Sequence, residues 1–154
     1  MAHIMKKYFN DVVNSTVELL KFDSSMKPAE GENGEYPFGK ETADCLAYFL
    51  NLAESFGFET HKYDNYVGEV VFGSGEAFAI LAHLDVVPAG NGWKYPPFGG
   101  VINDDLSDGG VAGKKIWGRG AMDDKTPAVV CLYALKALKD CNFKPARTIK
   151  LIVG

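Results

Sequence analysis

The sequence predicts an α/β fold, in which a mixed and largely parallel sheet lies between helices. The first observation is the continuous apolar run Ala77–Ala82, whose length and composition are typical of a strand buried on both faces. A helical segment follows, with Thr126 as its N-cap and Pro127 in its first turn, and Thr148–Val153 is a second apolar strand candidate. Strand, helix and strand in this order form a βαβ unit, whose two strands are expected to be parallel.

The other periodic segments predict two more helices and two more strands. Apolar residues recur at helical spacing in Phe9–Leu20 and in Ala43–Ala53, and Gly57 is placed to end the second helix. Phe58–Tyr63 and Val67–Phe72 are strand candidates joined by a short turn. The 154 residues suffice for one domain of ordinary size, but the chain is short for two compact domains.

Composition argues against several classes of protein. The formal net charge of −4, without any cluster of Lys and Arg, argues against nucleic-acid binding. The longest apolar runs fall far short of the ~20 residues that span a bilayer, and no secretory signal is recognisable, so no membrane partner is expected. The three cysteines form no C-x-x-C pair, which favours a reduced, cytoplasmic protein. Residues 1–4 resemble a cloning remnant.

The first chemical constellation is His83-Leu84-Asp85, directly after the apolar run Ala77–Ala82. In extended backbone, residues two apart point the same way, so the Asp85 carboxylate can hold one imidazole nitrogen while the other faces a metal. The alternative is a histidine at a strand end that simply bonds a loop aspartate. The carboxyl end of a strand in an open α/β sheet is, however, where sites are commonly built.

The second constellation is the pair Asp123-Asp124, which lies between a predicted hairpin and the predicted helix. A carboxylate there could bridge two cations with its two oxygens. Alternatively, both carboxylates could serve the N-terminus of the helix, where negative charge is stabilising. Of the two, Asp124 is the better candidate for capping the helix or for hydrogen-bonding a metal ligand without contacting the metal itself.

Taken together, three motifs resemble the co-catalytic zinc superfamily of aminoacylases, glutamate carboxypeptidases, succinyl-diaminopimelate desuccinylases and dipeptidases. Their order and spacing matter more than any one of them; they are His83–Pro88, Trp93 with Pro96–Phe98, and Gly118–Lys125. Two further segments, Tyr36–Gly39 and Leu52–Phe58, are similar to the peptidase V branch of cytoplasmic dipeptidases. The resemblance covers nearly the whole chain from about Met5.

The resemblance implies a role for each matching residue. His83 resembles the family's ligand to one zinc, Asp85 the catalytic acid that orients it, and Asp123 the carboxylate that bridges both metals. A complete site would hold two zinc ions. Of its ligands, this chain would supply His83 and Asp123 alone. The resemblance also implies a cis peptide bond between Asp123 and Asp124. Arg119 and Lys125 resemble residues of structural importance, and no chemical role is assigned to them.

Two regions depart from the family pattern. Val101 and Ile102 are predicted to pair with Lys115–Trp117 in a hairpin, whose solvated tip Asn103–Gly113 is longer than the family's usual turn. Family members also carry a Glu-Glu pair after the strand that Thr148–Val153 resembles, one acting as general base and the next as a zinc ligand. The sequence ends at Gly154. We therefore interpret residues 1–154 as the N-terminal portion of a catalytic domain, lacking its remainder and the lid domain.

Three functional hypotheses follow. The resemblance implies zinc-dependent hydrolysis of dipeptides or other short peptides by a longer parent protein, with this chain incomplete and inactive alone. An N-acyl amino-acid deacylase would use the same metal chemistry. A non-catalytic fragment that associates without hydrolysing anything is the third hypothesis, because the final strand, Ile149–Val153, is expected to leave an exposed edge that could pair with a second copy.

Overall fold

The structure, a computed structural model, describes residues 2–104 and 113–154, with side chains from residue 6 onward. The described residues contain three α-helices, six strands and one 3-10 turn at Glu32–Gly34, joined by loops. In chain order they are α1 Ala2–Leu20, α2 Lys40–Ser55, β1 Glu59–Tyr63, β2 Val67–Phe72, β3 Ala77–Ala82, β4 Val101–Asn103, β5 Lys115–Trp117, α3 Lys125–Asp140 and β6 Thr148–Val153.

The main sheet has four strands in the order β1-β2-β6-β3. Its mixed character confirms the sequence prediction, and the βαβ unit is present because β3 and β6 pair in parallel. The prediction of a largely parallel sheet is wrong, since β2 pairs antiparallel with both β1 and β6. The tight turn between β1 and β2, where Asp64 and Asn65 adopt positive φ and reverse the chain, accounts for the first of these pairings. The second arises because this hairpin packs its β2 side against β6.

The hydrophobic core lies on one face of this sheet. Val70, Leu151 and Ile80 share one row across three strands, and Val70 and Leu151 are fully buried. All three helices contribute to the same core cluster, and every strand residue in that cluster points to this face. Added bulk at Gly68, in the same face, would meet the side chains of Leu46 and Leu50 of α2 at 2.9 Å.

Strand β3 is not buried on both faces as its composition predicted. Leu81 is 75% exposed and Phe78 is 44% exposed, while Ile80 and Ala82 are partly buried. Two features of the fold account for the difference. Among the described residues β3 pairs only with β6, which makes it an edge strand, and the described helices pack against a single face.

The expectation for the last strand also needs correction. β6 does not present a free edge, because it lies between β2 and β3 and pairs along both sides. Ile149, Leu151 and Val153 are accordingly buried. The strand-helix-strand pattern in the sequence reveals only the pairing of β6 with β3. It does not reveal that β2, from the hairpin earlier in the chain, pairs with the other side of β6. Any exposed edge that supports self-association must therefore be sought at the outer strands β1 and β3 rather than at β6.

Two smaller elements bear on the site. The predicted hairpin is confirmed, with Val101–Asn103 antiparallel to Lys115–Trp117, while its expected tip falls largely on residues 105–112, which lie outside the described residues. Helix α3 begins at Lys125 rather than after a Thr126 cap. Asp124 occupies the N-cap position but makes no side-chain capping hydrogen bond there. None of the helices in the described ranges has the length and apolar character needed to cross a membrane.

Candidate metal centre

The first arm of the candidate site is the segment that leaves the carboxyl end of β3. The Leu84 amide donates to the carbonyl of Gly154 at 2.7 Å, so this segment continues beside the end of β6. The fully buried Ser24 side chain donates to the carbonyl of Leu84 at 2.6 Å, and the Val86 amide donates to the carbonyl of Ser24 at 3.1 Å. These bonds fix the backbone directly after His83 and on both sides of Asp85.

The second arm is the turn before α3, and the two arms meet at a histidine and an aspartate. His83 Nε2 lies 2.9 Å from Asp123 Oδ1. On the other side of the ring, Nδ1 lies 3.1 Å from Asp85 Oδ1 and 3.0 Å from the Asp85 carbonyl oxygen. The structure thus brings together the three side chains that the sequence singled out, at the sheet edge where they were expected.

Asp124 supports the first arm rather than the helix behind it. The His83 amide donates to Asp124 Oδ2 at 3.3 Å, which explains why that carboxylate makes no capping bond to α3. The peptide bond between Asp123 and Asp124 is cis. One carboxylate of the pair therefore meets the His83 ring, and the other meets the His83 backbone.

The imidazole of His83 faces acceptors on both sides, and this limits its chemical state. A neutral imidazole has a single N–H, so it can donate to Asp85 or to Asp123 but not to both. Partial burial lowers the pKa of His83, but hydrogen bonds to Asp85 and Asp123 and the two negative charges outweigh it, so the pKa is raised above 6.5. An imidazolium would donate to both sides, whereas a neutral ring with its proton on Nδ1 would leave the Nε2 lone pair facing Asp123, as a shared cation would require.

The donor set suits zinc, for which imidazole nitrogen and carboxylate oxygen are ordinary ligands. Two such ligands on one tetrahedral ion stand roughly 3.3 Å apart when each bond is about 2.0 Å. His83 Nε2 and Asp123 Oδ1 are 2.9 Å apart. A movement of a few tenths of an ångström would therefore admit the ion, and Asp85 would keep the Nδ1 proton in place, as a carboxylate behind a ligating histidine commonly does.

The same residues line a cleft of about 280 Å³, which both arms form. Asp123 is 89% exposed at its side chain and Asp85 57%, so both carboxylates are open to solvent and to a ligand. Within residues 2–104 and 113–154, no group of three or more His, Cys, Asp or Glu side chains has the geometry to hold a metal ion. The described residues therefore offer two candidate zinc ligands, where a catalytic site usually has three.

Arg119 lies in the wall of this cleft, although the sequence suggested no more than a structural part for it. Its guanidinium stands 5.1 Å from the centre of the Trp93 ring and donates to the Ala89 carbonyl at 3.3 Å. The Trp93 indole N–H donates to the same carbonyl at 2.8 Å. Trp93 and Arg119 thus bind the loop after His83 to the turn before α3. The sequence feature that could have predicted this contact is the presence of Trp93 and Arg119 within two of the three motifs.

Lys125 is a second residue whose contacts the sequence did not reveal. Its ammonium group is fully buried and donates to the carbonyls of Leu19 and Phe22. A lysine at the first position of a helix is placed against the helix dipole, which favours negative charge there. That unfavourable placement was a signal that the side chain has a partner elsewhere.

Comparison with known proteins gives consistent relatives. The chain is 38% identical over 144 residues to the Beta-Ala-Xaa dipeptidase of Lactobacillus delbrueckii subsp. lactis, an alignment that covers 93% of this chain and 29% of the relative. It is 34% identical to the putative dipeptidase YtjP of Bacillus subtilis, with 94% of this chain and 29% of the relative covered. The chain thus spans a little under a third of the length of these curated relatives.

Solved structures agree at the level of the fold. Human carnosine dipeptidase 1 superposes with a TM-score of 0.74 at 21% identity, covering 99% of this chain and 33% of that one. The dipeptidase Dug1p from Saccharomyces cerevisiae gives a TM-score of 0.70 at 17% identity, covering 98% and 33%. Residues 79–154, which include both arms of the site, match the family described as peptidase family M20/M25/M40. The chain therefore belongs to the M20/M25/M40 peptidase family and is related to its dipeptidases.

Proposed function

We propose that this chain contributes His83 and Asp123 to a two-zinc site, and that the longer protein to which it corresponds hydrolyses the amide bond of dipeptides or other short peptides. The observation that carries the proposal is the imidazole held between two carboxylates, with Nε2 at 2.9 Å from Asp123. The relatives named as dipeptidases support the substrate class.

Each residue has a defined part in this proposal. His83 would hold one ion through Nε2, and Asp123 would bridge both ions through its two oxygens. Asp85 would keep the proton on Nδ1, so that Nε2 presents its lone pair. Bound zinc supplies a Lewis acid that polarises an amide carbonyl and acidifies water. A cytoplasmic location fits the same proposal, because all three cysteines are unpaired.

The proposal requires partners that the described residues do not supply. A general base must lie within hydrogen-bond reach of the water that it activates, and the carboxylates at this site already have other parts. We therefore expect the chain alone to bind zinc weakly and to hydrolyse no peptide. In a complete catalytic domain, the base and the remaining ligands would come from further residues.

The first test is a zinc titration of the chain, followed through the ring signals of its histidines by NMR. The response of His83 should disappear in Asp123→Ala, and the overall affinity should fall in His83→Ala. His61→Ala provides a matched control, because His61 lies in β1, away from the site. Zinc affinity that survives loss of both His83 and Asp123 would contradict the assignment of the ligands.

The second test addresses the reaction with a chain extended to the length of the relatives. Zinc-loaded extended protein should release amino acids from dipeptides, and Asp123→Ala should abolish that activity. Preference for N-acyl amino acids over dipeptides would instead identify a deacylase. Hydrolysis by the unextended chain would show that the general base lies among the residues assigned other parts.

A further inference from the structure

Helix α3 is joined to α1 by a buried lysine. Lys125 has no exposed surface, and its ammonium group donates to the carbonyls of Leu19 at 3.1 Å and of Phe22 at 2.9 Å. The Leu19 carbonyl lies in the last turn of α1, and the Phe22 carbonyl lies two residues beyond the helix end. The last carbonyls of a helix lack intrahelical donors, and the dipole there favours a cation. The lysine therefore satisfies acceptors that would otherwise remain unpaired in the core.

The same lysine closes the turn that carries Asp123. Its amide donates to the carbonyl of Gly120 at 3.1 Å, so the turn is fixed by the backbone of Lys125. A Cβ added at Gly120 would lie 3.1 Å from the Lys125 side chain and 2.8 Å from that of Val86. The turn before α3, the lysine stem and the His83 arm are thus packed in direct contact.

The chain just after α1 holds the other arm. Ser24 donates through its hydroxyl to the Leu84 carbonyl at 2.6 Å and accepts from the Val86 amide at 3.1 Å. These two bonds flank Asp85, and the first of them is made by the residue directly after His83. The short segment Leu19–Ser24 is therefore hydrogen-bonded at one end to the arm that carries Asp123 and at the other to the arm that carries His83.

We propose that Lys125 is a positioning residue of the metal centre: through the segment Leu19–Ser24 it fixes Asp123 relative to His83. The role of the site rests on the proposed function, whereas the geometric relation between the two side chains does not depend on a metal. The lysine touches neither reactant nor ion. It acts by holding the two arms at a separation that one cation can bridge.

The test compares Lys125→Met with the unchanged chain by two measurements. Zinc affinity, followed at the His83 ring, should fall about 10- to 100-fold, as is typical when support behind metal ligands is lost. In zinc-free protein, nuclear Overhauser contacts between the His83 ring and the Asp123 side chain should disappear. Ser24→Ala interrupts the same link from the other end with a smaller change of volume, and it should weaken zinc binding in the same direction.

Two controls separate positioning from general loss of stability. Leu132→Ala removes a fully buried side chain from the same helix and should destabilise the fold while leaving zinc affinity and the His83–Asp123 contacts intact. Lys136→Met makes the same chemical change on the surface of α3, where the lysine pairs with Asp140. Equal zinc affinity and unchanged contacts in Lys125→Met and Ser24→Ala would overturn the proposal.

The outcomes also distinguish this proposal from the proposed function. If the unchanged chain shows no zinc response at His83, the proposed function fails at this site, and the zinc-free contacts alone decide the part of Lys125. If Lys125→Met does not fold, Ser24→Ala supplies both measurements. Loss of zinc affinity in Leu132→Ala to the same extent would assign the effect to stability and would also overturn the proposal.

Discussion

At the residue scale, the site depends on one imidazole with an acceptor on each side. Asp85 reaches Nδ1 of His83 through its carboxylate at 3.1 Å and also through its backbone carbonyl at 3.0 Å. The carbonyl remains when the side chain is removed, so the orientation of the ring has two supports. Asp123 has no such backbone substitute on the Nε2 side. The two carboxylates should therefore differ in importance.

We expect Asp85→Ala to weaken zinc binding by about tenfold, because the carboxylate that supports the ring is lost while the carbonyl still orients it. Asp123→Ala removes a ligand and should reduce zinc binding far more. The measurement is the zinc dissociation constant of each variant at constant pH. A larger loss of zinc affinity in Asp85→Ala than in Asp123→Ala would mean that Asp85 is the ligand and Asp123 the supporting carboxylate.

Gly120 offers a second prediction at this scale. It adopts a φ of +85°, and an added Cβ would lie 2.8 Å from Val86 and 3.1 Å from Lys125. Gly90 has a φ of +69° but has nothing within 4 Å of such an atom, so it controls for the backbone conformation alone. Gly120→Ala should lower the free energy of unfolding by about 1–3 kcal/mol more than Gly90→Ala does. Equal losses in urea denaturation would contradict the close packing around Gly120.

At the element scale, the helices determine how the two arms meet. Helix α1 packs along α3 and ends where Lys125 and Ser24 make their bonds. At the opposite end of this pair, Asp140 of α3 accepts hydrogen bonds from the Tyr8 hydroxyl and from Lys136 at 2.8 Å. The contact between α1 and α3 thus contains a charged group whose contribution should depend on pH.

The hydrogen bonds from Lys136 and Tyr8 lower the pKa of Asp140 below its ordinary 3.8, although slight burial opposes them. A carboxyl whose pKa is lower in the folded state stabilises that state at pH values above the unfolded pKa, and the gain is lost as pH falls through the folded pKa. Asp140→Asn should therefore cost at most about 1 kcal/mol at neutral pH, because the pair is partly exposed.

The check is urea unfolding of both proteins from pH 7 downward. The difference in unfolding free energy should stay constant to about pH 5 and shrink below about pH 4, where the unfolded carboxyl takes up its proton. A difference that does not change with pH would mean that the carboxylate charge contributes nothing to the contact between α1 and α3.

At the scale of the whole molecule, the outer strand β3 carries exposed apolar side chains. Natural sheets usually protect an edge strand with charge, proline or a bulge. The six residues of β3, Ala77–Ala82, contain no charged residue and no proline, and Leu81 is 75% exposed. Self-association is therefore expected through this strand, and not through β6 as its apolar sequence first suggested.

We predict that at micromolar concentration the chain sediments as a species heavier than the 16.8 kDa monomer. Leu81→Lys should shift it towards the monomer, because it places a charge on the edge strand. Met26→Lys is the matched control, because Met26 is 73% exposed but lies in the loop between α1 and α2. A monomer at all concentrations, or equal effects of the two lysines, would show that β3 is not the associating surface.

The sequence by itself determined most of the local structure and the residues of the candidate site. Periodicity placed the helices and strands to within about three residues, except that α1 begins at Ala2, well before the predicted Phe9. The parallel pairing of β3 with β6 followed from their connection through α3. His83, Asp85 and Asp123 could be named because the motifs beside a predicted strand and a predicted helix, in their order and spacing, resemble a zinc superfamily. Such information is local, and the sequence carries it directly.

Tertiary structure alone decided the arrangement around those residues. The insertion of β6 between β2 and β3 made the sheet mainly antiparallel and left β1 and β3, not β6, as its outer strands. The buried bonds from Lys125 to the end of α1 likewise join residues about a hundred positions apart. An apolar pattern states that a side chain is to be buried, but the partner that buries it is chosen by packing between distant segments, because burial is non-directional whereas hydrogen-bond partners must meet in space.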